Sequence, residues 1–173
     1  DWFNSPYSLE IMDKNIMKLG RLKKINLLLY GTQFVQKKTT NILRINNIPL
    51  LLRNDFSKLL FLGYVPMHHS ACFSFDLIKK YMPYNDRYKL AADCDLFFRI
   101  SKFKKLKIYY IDKVLINIQA GGISSNSTFN RICEVISIYK KYFGLIYFIP
   151  FSMRYFRKII SRFKCFRLSN KRL

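Results

Sequence analysis

The sequence predicts an α/β layered domain over residues 1–127, followed by a basic, amphipathic helical extension over residues 128–173. Three observations carry this. Apolar runs of strand length alternate with stretches whose apolar residues recur at helical spacing. Half of the 173 residues are hydrophobic and 17% are aromatic, so a core can form despite a net charge of +21. The last segment keeps helical periodicity alone and is almost uninterruptedly positive.

Pro6 to Leu19 reads as a helix. Pro6 suits a first turn after Ser5, the residues Leu9, Met12, Ile16 and Leu19 share a face, and Gly20 stops it. Ile25 to Tyr30 reads as a buried strand ending at Gly31. Gln33 to Leu51 alternates weakly around Asn46-Asn47, which suggests strands joined by a turn. Leu59 to Tyr64 is apolar and is broken by Pro66; His68 and His69 then fall on a short strand, facing opposite sides. Phe75 to Tyr81 is a short helix capped by Ser74, and Pro83 to Arg87 is a turn. Lys107 to Asp112 and Val114 to Gln119 read as two strands. Thr128 to Tyr142 is a helix with Ile132, Val135, Ile136 and Tyr139 on one face, and Pro150 opens a second helix.

The most informative stretch is Ala91-Ala92-Asp93-Cys94-Asp95-Leu96-Phe97-Phe98-Arg99. The chain has ten acidic residues against thirty-one basic ones, so two carboxylates two positions apart stand out. They open a helix from Asp93 to Phe103, with Asp93 placed to accept from the free N–H groups of the first turn and Asp95 at salt-bridge spacing from Arg99. That arrangement reads either as a capped helix with an ion pair or as a catalytic carboxylate held at a helix start. The paired glycines Gly121 and Gly122, with Ser124, make either a plain turn or a mobile flap that permits close backbone approach.

The order of these pieces resembles the acceptor half of the family 2 glycosyltransferases. His68-His69 stands where that family has His-Gln. Tyr88-Lys89-Leu90-Ala91-Ala92-Asp93-Cys94-Asp95-Leu96-Phe97-Phe98-Arg99 is similar to its Tyr-Lys-x-Ala-x-Asp-x-Asp-Leu-x-x-Arg run, and Gly121-Gly122-Ile123-Ser124 to its Gly-Gly-x-Ser loop. The Asp-x-Asp-Leu run is the most specific of these, and the likeness covers most of residues 1 to about 140. His69 in place of Gln, and Met82-Pro83-Tyr84-Asn85 in place of Gly-Gly-Phe-Asp, are departures. The resemblance implies a partial GT-A, Rossmann-like fold and an inverting sugar transfer from a nucleotide-sugar donor to an acceptor hydroxyl. Asp93 would be the general base. His68, Asp95, Arg99, Gly121, Gly122 and Ser124 would lie on the acceptor and diphosphate side. The opening Asp1-Trp2-Phe3 is similar to the end of the family's metal-binding acidic run, which makes Asp1 a ligand to manganese or magnesium. On that reading the nucleotide-binding half precedes Asp1, and this chain alone is inactive.

The charge asks for an anionic partner. Four scattered cysteines form no Cys-x-x-Cys or Cys/His cluster, so the sequence carries no sign of a zinc site and free thiols in a reducing compartment are expected. No apolar stretch reaches the roughly eighteen residues that span a bilayer. On a helical wheel of the last segment, Tyr155, Phe156, Ile159, Ile160, Phe163 and Phe166 fall on one side. Arg154, Arg157, Lys158, Arg162 and Lys164 fall on the other. This pattern suits an interfacial helix on an anionic membrane, with Arg154, Phe156, Arg157, Lys158 and Phe163 in contact, or else a helix packed on its own domain with a solvated basic face. The expected enzyme is cytoplasmic and peripheral on the inner face of the membrane, acting on a saccharide or lipid-linked acceptor. The alternatives are a basic nucleic-acid-binding protein, for which no recognised motif is present, and a non-catalytic remnant.

Overall fold

The computed structural model describes residues 2–22, 25–36, 42–46, 55–119 and 127–169, with side chains at all of these but positions 2, 20–22, 44, 46 and 162–169. The architecture is mixed α/β. In chain order the elements are β1 (Trp2–Phe3), α1 (Ser8–Leu22), β2 (Leu27–Val35), β3 (Ile42–Asn46) and α2 (Phe56–Phe61). A 3-10 turn (His68–Ser70), β4 (Ala71–Phe73), α3 (Phe75–Tyr81), α4 (Ala92–Ile100) and β5 (Ile108–Gln119) follow. The chain then forms α5 (Thr128–Phe143), a 3-10 segment (Gly144–Tyr147) and α6 (Phe148–Ser169). The sheet order is β1-β5-β2-β3, with β4 also paired to β2. The central pair β2 and β5 is parallel, and the other pairings are antiparallel.

Leu27 to Tyr30 of β2 is an unbroken apolar run because both of its faces are covered. Leu27 and Leu29 face one cluster, with Phe56, Leu59, Leu60, Leu77, Leu96, Phe97, Ile100, Val135, Ile138 and Tyr139. Leu28 and Tyr30 face the other, with Leu19, Leu115, Ile116 and Ile118. The alternation along β2 thus assigns its residues to two layers, and each fully buried Leu or Phe contributes about 1.5–3 kcal/mol.

Several expectations change here. β2 runs through Gly31 instead of ending there. The two strands expected over 107–119 are one strand, β5. Its register against β2 jumps from Tyr30↔Ile111 to Gly31↔Val114, so Asp112 and Lys113 form the irregularity that looked like a break. Helix α1 continues through Gly20, and Leu9 and Ile16 of its expected inner face are exposed. The histidines sit on a 3-10 turn, so alternation does not apply to them, and their rings lie 3.7 Å apart on one side. Most consequential, Val135, Ile138 and Tyr139 of α5 belong to the same core as Leu27 and Phe97, and Phe151 of α6 packs against it.

Candidate functional site around Asp93

Helix α4 is built from a loop whose backbone is held from a distance. Glu134 on α5 accepts from three successive amides: Lys89 N at 3.1 Å, Leu90 N at 2.8 Å and Ala91 N at 2.8 Å. These N–H groups precede the first turn, where no helical partner exists, so one carboxylate satisfies the entry to α4. The cap position itself is Ala91, with no side-chain cap. Asp93 therefore lies inside the first turn instead of at the N-cap, and its Oδ1 accepts from Cys94 N at 2.8 Å.

The two carboxylates of the Asp-x-Asp run have different surroundings. Asp95 is fully buried and its oxygens are engaged: Arg99 Nε lies 2.9 Å from Oδ2 as an ion pair off hydrogen-bond alignment, and Lys141 Nζ is 3.0 Å from Oδ1. The Tyr142 hydroxyl donates to the same Oδ1 at 3.3 Å. Arg99 also donates to the carbonyls of Tyr81 and Pro83, which ties α4 to the end of α3. Asp95 and Arg99 are thus a framework, as the i,i+4 spacing predicted. Asp93 keeps 30% of its side-chain surface exposed, and its Oδ2 is 3.7 Å from Nδ1 of His68.

Asp93 gathers groups from several elements. Burial alone would raise its pKa, but the His68 imidazole, the Arg154 guanidinium and the Cys94 N–H outweigh it and hold the carboxyl below its ordinary value. Tyr84 feels Asp93 in turn, its phenol raised first by burial and then by the carboxylate. The imidazole of His69 is lowered by burial and by His68, against an opposing pull from Asp93. Cys94 is buried, and burial pushes its thiol up to about 11, so it stays protonated and unreactive at neutral pH.

Two of the residues expected to contact membrane turn inward. Arg154 places Nη1 3.8 Å from Cys94 Sγ, and Arg157 donates to Gly63 O at 2.6 Å while its guanidinium stacks on Tyr64. The reason is the close seating of α6 on the turn after α2. Gly63 has φ +76, and a Cβ there would lie 2.5 Å from Arg154 Cα. Only glycine permits that approach, and it delivers Arg154 and Arg157 to the domain. Phe156 is exposed, as expected, together with Leu145, Phe148 and Ile159. Lys158 is partly buried. Asp1, Gly121, Gly122 and Ser124 lie outside the described residues, as does the side chain of Phe163.

Glu134, Lys141, Tyr142, Tyr84 and Gly63 were not assigned site roles from the sequence. Glu134 carried a signal, being the only acidic residue after Asp112. Arg154 carried one too, since it stands three residues after Phe151 and so shares the packed face of α6. Among the described residues no three His, Cys, Asp or Glu side chains come together to hold a metal. His68 and Asp93 offer two donors, fewer than a carboxylate-rich metal site needs. No described helix is long and apolar enough to cross a membrane. No family model, curated protein or solved structure matches the chain.

Proposed function

We propose that this chain is the acceptor-side portion of an inverting glycosyltransferase similar to family 2, with Asp93 as the general base. The observation that carries this reading is the division within the Asp-x-Asp run: Asp95 is buried and bound, whereas Asp93 is ionised, partly open and beside His68. In the proposed reaction the acceptor hydroxyl approaches the open side of Asp93. Its oxygen bonds to the anomeric carbon as the bond from that carbon to the donor diphosphate breaks. The hydroxyl proton passes to Asp93, and the electron pair leaves with the diphosphate. A carboxylate with a lowered pKa is a weak base at rest; it takes the proton late, once the attacking oxygen has become acidic. His68 lines the acceptor or diphosphate side, and Gly121, Gly122 and Ser124 would close over the diphosphate. A divalent ion, manganese or magnesium, would neutralise that diphosphate through Asp1. The donor is a nucleotide-sugar and the acceptor a saccharide or lipid-linked glycan.

The same reading places the enzyme in the cytoplasm, peripheral on the inner membrane face, in cell-surface polysaccharide or glycolipid synthesis. What supports this is the exposed apolar run Leu145, Ile146, Phe148, Ile149, Phe156 and Ile159 in a protein of net charge +21. The reading differs from a purely cationic contact, because Arg154 and Arg157 are engaged elsewhere. A base-stacking groove for nucleic acid is less well supported: Phe98, for instance, packs on Tyr139, Tyr142 and Phe143 within the core. The deciding test is Asp93→Asn in the full-length enzyme. Turnover should fall by about 10²–10⁴ with donor affinity nearly unchanged, the range expected for loss of a general base. Near-normal kcat would remove Asp93 from the mechanism.

A further inference from the structure

Arg154 belongs to a helix that the sequence places outside the domain, yet its side chain ends at the start of α4. Its seat is determined by backbone. Gly63 allows α6 to approach within contact of Arg154 Cα, and Arg157 fastens the same turn through Gly63 O at 2.6 Å. From that seat Arg154 Nη1 reaches Cys94 Sγ, a weak acceptor, at 3.8 Å, while its Nε is buried with no hydrogen-bond partner. A buried guanidinium in such surroundings is costly unless an anion compensates it. Burial would lower its pKa, but Cys94, Tyr139 and Asp93 together raise it. At neutral pH two of those three are uncharged, since burial pushes the Cys94 thiol to about 11 and the Tyr139 phenol to about 12. Asp93 is the remaining anion of the three.

We propose that Arg154 is a positioning residue of the Asp93 site, so that α6 completes the site instead of trailing from it. The guanidinium is held at Cys94, the residue after Asp93, and helps keep Asp93 a carboxylate, while Asp93 stays partly exposed beside His68. Among the described residues, the groups electrostatically coupled to Asp93 are then His68 and His69 from the 3-10 turn, Tyr84 from the loop after α3, Cys94 from α4 and Arg154 from α6. Among these Arg154 is the only permanent cation, because its charge does not titrate near neutrality. The role in proton transfer rests on the glycosyl-transfer reading; the coupling of Arg154 to Asp93 does not.

The sign follows from linkage. Asp93 has a folded pKa below its unfolded one, so its contribution to stability is present above the unfolded pKa and is lost as pH falls through the folded one. Removing Arg154 should narrow that gap. The measurement is the pH titration of the Asp93 carboxyl carbon by NMR in the whole protein, with Asp93→Asn used to assign the signal. In Arg154→Gln the Asp93 midpoint should rise by about one pH unit, the low end for loss of a near opposite charge, and Arg154→Lys should restore most of it. Coincident titrations in wild type and Arg154→Gln, both folded by near-UV circular dichroism, overturn the proposal. Should Arg154→Gln not fold, the unaltered protein decides. The Arg154 Nε–H resonance should then shift with a midpoint equal to that of Asp93, and a resonance indifferent to that titration overturns the proposal. The acid limb of kcat/KM in the full-length enzyme should move with the carboxyl midpoint. A shifted carboxyl without sugar transfer would refute the glycosyltransferase reading and leave the coupling standing.

Discussion

Replacing Glu134 with Ala should be among the most damaging single changes outside the apolar core. The side chain accepts from three successive amides that have no other described partner, at 3.1, 2.8 and 2.8 Å. The Lys89 amide is exposed, so water can replace that contact at little cost. The Leu90 and Ala91 amides are part-buried, and Ala91 is only 2% exposed. A hydrogen bond to a charged acceptor contributes about 1.5–3 kcal/mol, so two of them, with some water entry, give a loss of about 3 kcal/mol. For a chain of this size that lowers Tm by about 6–12 °C. With a urea m-value of about 2 kcal/mol/M, the unfolding midpoint falls by about 1.5 M. Glu134→Gln keeps one oxygen for Leu90 and Ala91 but sets an amide N–H against Lys89 N–H, so it should cost less, about 1–1.5 kcal/mol. The assay is urea unfolding followed by far-UV circular dichroism, with hydrogen exchange at Leu90 and Ala91 as a local check. An Ala variant within about 0.5 kcal/mol of wild type, or a Gln variant as damaging as Ala, would refute the reasoning, because either result separates stability from those amides.

Gly63→Ala should destabilise by about 2–4 kcal/mol, since the new Cβ meets Arg154 backbone and the residue must hold a positive φ. A thermal melt unchanged by this substitution would mean that α6 is not seated on that turn. The double change Leu145→Asp with Phe156→Asp should weaken cosedimentation with anionic vesicles more than 100-fold, because each apolar side chain contributes about 1.5–3 kcal/mol on insertion. Binding that survives the double change but vanishes in high salt would reduce the surface to simple charge attraction.

What could be read from the sequence follows the range of the interaction. The α4 ion pair of Asp95 and Arg99 was legible because four residues of helix bring the two together whatever else the chain does. The short helix α3 was placed at its observed bounds, Phe75–Tyr81, and α5 nearly so, because Pro83 and the apolar period mark them locally. β5 was split in two because Asp112-Lys113 looks like a turn, and only its partner β2 shows that the ladder continues past it. On α6 the structure leaves Phe156, Ile159 and Ile160 of the apolar side exposed, while Arg154 and Arg157 of the basic side turn inward. Long cations carry apolar stems that can themselves pack, so amphipathicity alone does not say which side packs. Charge balance carries more information on this point. With thirty-one bases and ten acids, most cations must remain in water, and a cation can turn inward only where an acceptor waits. Arg99 turns inward at Asp95 and Arg157 at the Gly63 carbonyl, Lys141 reaches Asp95 from the surface, and Arg154 ends at Cys94, the residue after Asp93. Of the two carboxylates of the Asp-x-Asp run, Asp95 takes up Arg99 and Lys141, and Asp93 keeps 30% of its side chain exposed beside His68.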